Sequence, residues 1–232
     1  MRYCSDMVKT PDGEGPRRER LRARTLEEIK ECGFALVDDG GVSAVTIAAL
    51  GKAMGMTPPS LYRYHASRDA VVDALVAAAY TDLGLVVEKA AVGGSPEKRL
   101  DRLVREYRRW ALEHPRRYAM LFGDRAPGTP DPADGVVAFN RGMQALLAVL
   151  SEMTDSVGGN DPLDSELQRW SEAIDVPAGV TPRALRLGVQ LWYRMHGLVS
   201  LEIAGAFANM GLDAEHLLTS EIRETVAAAD AD

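Results

Sequence analysis

Apolar residues recur along this chain at every third or fourth position and nowhere alternate over a useful length, so the periodicity predicts helices throughout. The first spans about Arg18 to Asp38, with Leu21, Leu26, Ile29, Cys32/Gly33, Leu36 and Val37 on one face; Asp38-Asp39-Gly40-Gly41 ends it. Two short helices joined by a tight turn follow. Thr46 is placed to cap the first, and Ile47, Leu50 and Met54 share its buried face. Gly55 supplies the turn, where positive φ costs a glycine little. Thr57 is the expected N-cap of the second, which begins near Pro58 and Pro59 and runs through Ser60 to Tyr64. Pro59 disfavours αR at Pro58, which leaves that start open by one residue. Leu61 is its one clear core position, so the second helix is held by its neighbours and presents side chains.

Ser67 then caps a long helix from about Arg68 to Ala91, striped by Val71, Val72, Leu75, Ala78, Ala79, Leu83 and Val86/Val87. Gly93-Gly94-Ser95-Pro96 is a break, a cap and a proline at the first helical position. The next helix, about 96–113, carries Leu100, Leu103, Val104, Tyr107, Trp110 and Ala111. His114-Pro115 separates it from a short helix over Arg116 to Phe122. Gly123 to Asp134 reads as a loop, 135–157 as a helix, Gly158 to Pro162 as a second loop and Leu163 to Ile174 as a shorter helix. Thr181-Pro182 opens the longest predicted helix, about 182–210, with Gly188, Gly197 and Gly205 inside it. Each interior glycine costs about 1 kcal/mol relative to alanine, and close approach of another helix is the simplest reason to keep three. A last helix covers 213–228. The fold class is therefore all-α, with nine or ten helices.

Hydrophobic content of 46% with 26% charged residues suits a globular protein that buries a substantial core in one or two domains. No apolar run approaches the roughly 20 residues that span a bilayer. The segment MRYCSDMVKTPDGEGPRRER has no apolar stretch of signal-peptide type, so a cytoplasmic protein without a membrane partner is expected. Cys4 and Cys32 read as two free thiols. The net charge of −7 is unevenly spread: residues 1–68 carry 11 Lys and Arg against 9 Asp and Glu, a balance of +2, and residues 69–232 carry 16 against 25, a balance of −9. Phosphate binding needs a locally basic surface, not a basic chain. Arg17, Arg18, Arg20, Arg22 and Arg24 are either a solvated helix start or an arm that touches phosphate or a minor groove. No G-x-S-x-G, P-loop, H-E-x-x-H or Cys/His metal spacing is present, so no enzyme, metal or cofactor is expected.

The stretch VTIAALGKAMGMTPPSLYRYHASR resembles the helix-turn-helix of TetR/AcrR-type transcriptional regulators through Thr46, Ala53, Gly55, Met56, Thr57, Leu61, Tyr62, Tyr64, Ser67, Arg68 and Asp69. His65 stands where that family has Phe, either as a packing substitute or as a DNA contact or pH sensor. Trp192 to Gly197, WYRMHG, resembles the Trp-His-Gly signature of one subgroup. The polar, Gly-, Pro- and charge-rich N-terminus reads as a disordered arm (1–17), and the resemblance implies a three-helix DNA-binding domain (18–66) and a larger helical ligand-binding and dimerisation domain (67–232).

In such a domain the second helix enters the major groove and its N-terminal residues reach base edges. Thr57, Pro59, Ser60 and Arg63 are the exposed candidates, and Arg63 can pair bidentately with guanine. Tyr62 and Tyr64 either pack in the core or donate to phosphate. Thr46 and Arg68 lie at helix N-termini that favour phosphate, and the resemblance gives phosphate contacts to the positions of Thr46, Tyr64 and Arg68. It further implies a homodimer through the last two helices and a small, hydrophobic effector. The pocket candidates are Tyr107, Trp110, Met120, Phe122, Phe139, Met143, Trp170, Trp192, Met195 and His196, each of which can equally be plain core. The expected function is a sequence-specific repressor released by its ligand; the alternatives are an activator or a helical module that binds a partner protein.

Overall fold

The computed structural model describes residues 15–123, 128–155, 162–176 and 178–230. Among them are eleven α-helices, one 3₁₀ turn and no strand, divided between two compact units, residues 1–72 and 73–232.

In the first unit, α1 (Gly15–Gly40) buries Ile29 and Val37, while Leu21, predicted on the same face, is 56% exposed. The expected arm lies outside the described residues up to residue 14, and α1 is already under way at Gly15. Gly41, at φ 73°, turns the chain into the 3₁₀ turn Val42–Ala44. In α2 (Ile47–Met54) the Thr46 Oγ1 accepts from the Ala49 N–H at 3.0 Å, which satisfies one of the helix's orphan donors. Gly55 closes α2 at φ 63°. The sequence pattern gives no sign of a second glycine requirement at Gly51: a Cβ there meets the Met56 carbonyl oxygen at 2.7 Å. The helix therefore ends against its own turn, with the Met56 N–H donating to the Gly51 carbonyl at 2.9 Å.

The second helix of the motif is shorter than predicted. Only α3 (Pro58–Leu61) is regular, and Tyr62 to Tyr64 continue as turns, because the Tyr64 N–H reaches back three residues to the Leu61 carbonyl. The Thr57 hydroxyl does not cap α3; it pairs with the Ser60 hydroxyl at 3.1 Å.

α4 (Arg68–Ala90) carries the chain from the first unit into the second. Its Ala- and Val-rich sequence reaches a mean hydropathy of 1.8 over 18 residues, which corrects the expectation that no run approaches a membrane span by length and composition. Half of that window is buried inside the protein, as for a core helix. In the second unit follow α5 (Pro96–Glu113), α6 (Pro115–Phe122), α7 (Ala133–Ser151), α8 (Pro162–Ala173), α9 (Pro182–Ile203), α10 (Ala206–Asn209) and α11 (Ala214–Asp230). The amphipathic α5 buries the six predicted positions, Leu100 to Ala111. α9 is the hub, packing on α5, α7, α8, α10 and α11. Arg108 of α5 ties this bundle together through Glu202 at 2.6 Å and Glu215 at 2.7 Å.

The predicted single helix over 182–210 is two helices. Gly205 sits at φ 75°, a left-handed conformation that ends α9, so it is a terminator and not an interior glycine. Gly188 does serve close packing, since a Cβ there meets Leu147 of α7 at 2.5 Å. Gly197 has no atom within 4 Å of a built Cβ.

Replacing Gly51 by alanine tests the tight end of α2. Its new methyl collides with a backbone carbonyl, so Gly51→Ala destabilises the protein by about 1–3 kcal/mol despite alanine's better helix propensity. Urea unfolding read by circular dichroism measures the difference.

Candidate nucleic-acid interface and apolar cavity

One exposed surface of the first unit is built from α2, the Gly55 turn and α3. Leu61 anchors α3 in the core, 3% exposed, and Thr57, Pro58 and Pro59 project from its start into solvent. Ser60, half-buried, accepts from Arg63 Nη2 at 3.4 Å, and Arg63 is otherwise exposed. Tyr62 is 50% exposed, which removes the core-packing alternative for its ring. Thr46 is also exposed; its hydroxyl accepts in capping α2, which leaves its own proton free to donate.

Two arginines hold this surface in place. Arg22 of α1 donates from Nη1 to the Arg63 carbonyl at 3.1 Å and lies over the Tyr64 ring, 5.3 Å from its centroid. Sequence reasoning saw Arg22 only as one of a basic cluster, and a contact 41 residues away leaves no local signal. Arg68, at the start of α4, donates from Nε to the Val45 carbonyl at 3.0 Å and from Nη2 to the Val42 carbonyl at 2.8 Å, and Nη1 pairs with Asp69 at 3.2 Å. In this conformation its guanidinium clamps the segment leading into α2.

His65 is half-buried between these groups. Burial, then the positive charge of Arg22, lowers its pKa, and a contact with the Ala70 backbone opposes the shift.

The second unit contains a partly open cavity of about 60 Å3. Tyr107, Phe139, Met143, Trp192 and Met195, all predicted from the sequence, line it, and Tyr80, Leu83, Val87, Leu103 and Leu146 complete its apolar wall. Gly84 and Gly142 line it where α4 crosses α7: a Cβ on Gly84 meets the Ala138 carbonyl oxygen at 2.9 Å, and one on Gly142 comes within 3.7 Å of the Gly84 Cα. Five predicted pocket residues do not line the cavity. Trp110 is core, with its indole N–H on Asp82 at 3.3 Å. Met120 is fully buried elsewhere. Phe122 and His196 belong to an aromatic cluster beside it, 4.9 Å apart between ring centroids. Trp170, on α8, is half-buried and also outside the lining.

Hydroxyls connect the cavity to that cluster. Tyr107 and Tyr118 share a hydrogen bond of 3.3 Å, and Tyr118 meets His196 Nδ1 at 2.7 Å. Burial raises the Tyr107 phenol well above its ordinary range and lowers the His196 pKa, so both are neutral near pH 7. The indole N–H of Trp192, whose ring stacks on His196 with centroids 6.0 Å apart, is buried without a hydrogen-bond partner among the described residues. Among the described residues no three His, Cys, Asp or Glu side chains are placed to hold a metal ion.

Residues 31–75 match the family described as bacterial regulatory proteins of the tetR family, and residues 100–225 match the tetracyclin repressor-like C-terminal domain. An HTH-type transcriptional regulator of Mycobacterium tuberculosis is 29% identical over 226 residues, covering 92% of this chain and 95% of its own length. A regulatory protein of known crystal structure is 32% identical, with a TM-score of 0.76 over 90% of this chain and 98% of that one. A TetR family transcriptional regulator from Thermus thermophilus is 16% identical, with a TM-score of 0.53 over 86% of this chain and 97% of that one, and shares the fold.

The depressed His65 pKa carries a sign. The folded protein binds fewer protons than the unfolded chain between the two pKa values, so His65 contributes stability above pH of about 6.5 that is lost as pH falls through the folded value. His65→Phe removes that dependence, and melting temperatures taken from pH 7.5 down to 5 fall less steeply in the variant than in the parent.

Proposed function

Because this chain belongs to the TetR family of transcriptional regulators, which bind DNA and are not enzymes, we propose that it is a homodimeric repressor, released from its operator by a small hydrophobic effector. The observation that carries the proposal is the α2–Gly55–α3 surface, which leaves Thr57, Pro59 and Arg63 exposed on an anchored helical turn. In a two-fold dimer, two such turns lie about 34–36 Å apart and enter successive major grooves. Arg63 reads guanine, Thr57, Pro59 and Ser60 approach neighbouring base edges, and the hydroxyls of Thr46 and Tyr62 hold phosphates. Tyr64 and Arg68 act first as positioning groups; phosphate contact is open to the Tyr64 hydroxyl and to the Arg68 Nη1 now on Asp69.

Homodimerisation has support on α9. Tyr193, Gly197 and Leu201 lie four residues apart on one face; the two large side chains are 51% and 49% exposed, and Gly197 has open space above it. An interior glycine that no described residue of its own chain crowds fits the close approach of a second copy.

The effector role rests on the cavity. At about 60 Å3 it is far below the roughly 300–1,000 Å3 of ligand pockets, so an effector enters only a more open conformation. A ligand that binds the open form shifts the population toward it, by as much as its affinities for the two forms differ. α4 lines the cavity and begins at the Arg68 clamp, so a displaced α4 weakens operator binding in this account, which places the protein at work in the cytoplasm.

Fluorescence anisotropy against duplex fragments selected from the genome tests the DNA reading. The parent protein binds a selected duplex with an affinity that falls steeply with salt, the slope of log K on log salt being about −0.9 per phosphate neutralised. Arg63→Ala weakens binding by about 1–3 kcal/mol and relaxes the preference at one base pair while leaving the salt slope nearly unchanged. Weak binding that is indifferent to sequence in the parent contradicts the assignment.

A further inference from the structure

The chemistry of the effector can be narrowed by what the cavity wall lacks and what it leaves unmatched. Among the described residues, the lining contains no Lys, Arg, His, Asp or Glu. A charged ligand entering it loses its hydration without gaining a counter-charge, which disfavours it. The occupant is therefore neutral and largely apolar. The two lining hydroxyls are already engaged: Tyr107 with Tyr118 at 3.3 Å, and Tyr80 with the Leu121 carbonyl at 3.4 Å and the Asp131 carboxylate at 3.3 Å.

One polar group among the lining residues is different. Trp192 Nε1 is a buried donor with no acceptor among the described residues, whereas the indole N–H of Trp110 has Asp82. An unpaired buried N–H is unfavourable, and the stack of Trp192 on His196, together with its edge-to-face contact with Phe139 at 6.0 Å, holds the ring where it is. The apolar lining offers no internal remedy; a ligand atom with a lone pair does.

We propose that the cavity recognises a neutral, mainly hydrocarbon molecule carrying a hydrogen-bond acceptor of the ketone or ester class, which takes its one directional contact from the Trp192 indole N–H. This rests on the reading of the cavity as the effector site. It also assigns a task to the Trp of the Trp192–Gly197 stretch: Trp192 marks the ligand, while His196 fixes the Tyr118 hydroxyl.

Three probes of one size separate the possibilities: acetophenone, which has the carbonyl; ethylbenzene, which lacks it; and benzoate, which is anionic. Cavities of about 150 Å3 hold a benzene ring, so these are the smallest bodies that ask the cavity to open. Binding to the full-length protein is followed by calorimetry and by the indole N–H resonances of its three tryptophans, Trp192 being identified by its loss in Trp192→Phe. Acetophenone is expected to bind about tenfold tighter than ethylbenzene and to move the Trp192 indole proton downfield, with benzoate not binding in the same range. Trp192→Phe, which keeps the aromatic stack, brings acetophenone and ethylbenzene to parity. Equal binding of those two to the parent, an unmoved Trp192 resonance, or benzoate binding as tightly as acetophenone overturns the ligand class while leaving the cavity as a site. Failure of all three to bind overturns the effector-site reading, and the anchor with it. The resonance shift in the parent decides the matter even where the variant folds poorly.

Discussion

The closest approach at the cavity is a crossing of two helix backbones. Gly84 of α4 lies against the Ala138 carbonyl of α7, with Gly142 beside it, and no side chain stands between them. The crossing does two things at once. It brings the helices close enough to close the cavity to about 60 Å3, and it fixes the position of a helix whose first turn belongs to the other unit. Interiors are close-packed, so a body that enters the cavity cannot be absorbed by slack side chains. In the proposed account the compliant element is the helix spacing.

At the other end of α4, the exposed turn that presents Arg63 has little stability of its own. One regular turn makes few internal hydrogen bonds and carries a nucleation penalty, so α3 exists because its surroundings hold it. Leu61 plugs it into the core, Arg22 grips the Arg63 carbonyl and the Tyr64 ring, and Arg68 gathers the Val42 and Val45 carbonyls ahead of α2. In the proposed function, positioning and reading are divided among different cations. Arg22 and Arg68 carry geometry, and Arg63 is left with a weak bond to Ser60 that a base edge can replace.

The surface proposed to face DNA was largely legible in the sequence because its determinants are local. Thr46 as cap, Gly55 as left-handed turn and Leu61 as anchor each follow from residue type and spacing of a few positions. What spacing did not reveal depends on distant neighbours or on ambiguity of residue type. Glycine marks both a close crossing and a helix end, so Gly188 and Gly205 look alike in the chain and differ in the fold. Helical periodicity identified Tyr107 and Trp110 as buried on one face of α5 but could not separate them, since which of them meets a void depends on where α4 crosses α7. The Arg22 and Arg68 clamps reach 41 and 23 to 26 residues along the chain and left no pattern to read.

The central claim is that the α4–α7 spacing sets affinity for DNA. Gly84→Ala tests it without any ligand, because its methyl has to displace the Ala138 carbonyl, 2.9 Å away, and so mimics an opened cavity. With circular dichroism and melting used to verify the fold, anisotropy titration of this variant against the selected duplex is the measurement to make. The account predicts a cooperative, folded protein whose operator affinity is reduced about tenfold or more, a coupling of about 1.4 kcal/mol. A folded variant that binds the operator as tightly as the parent contradicts it.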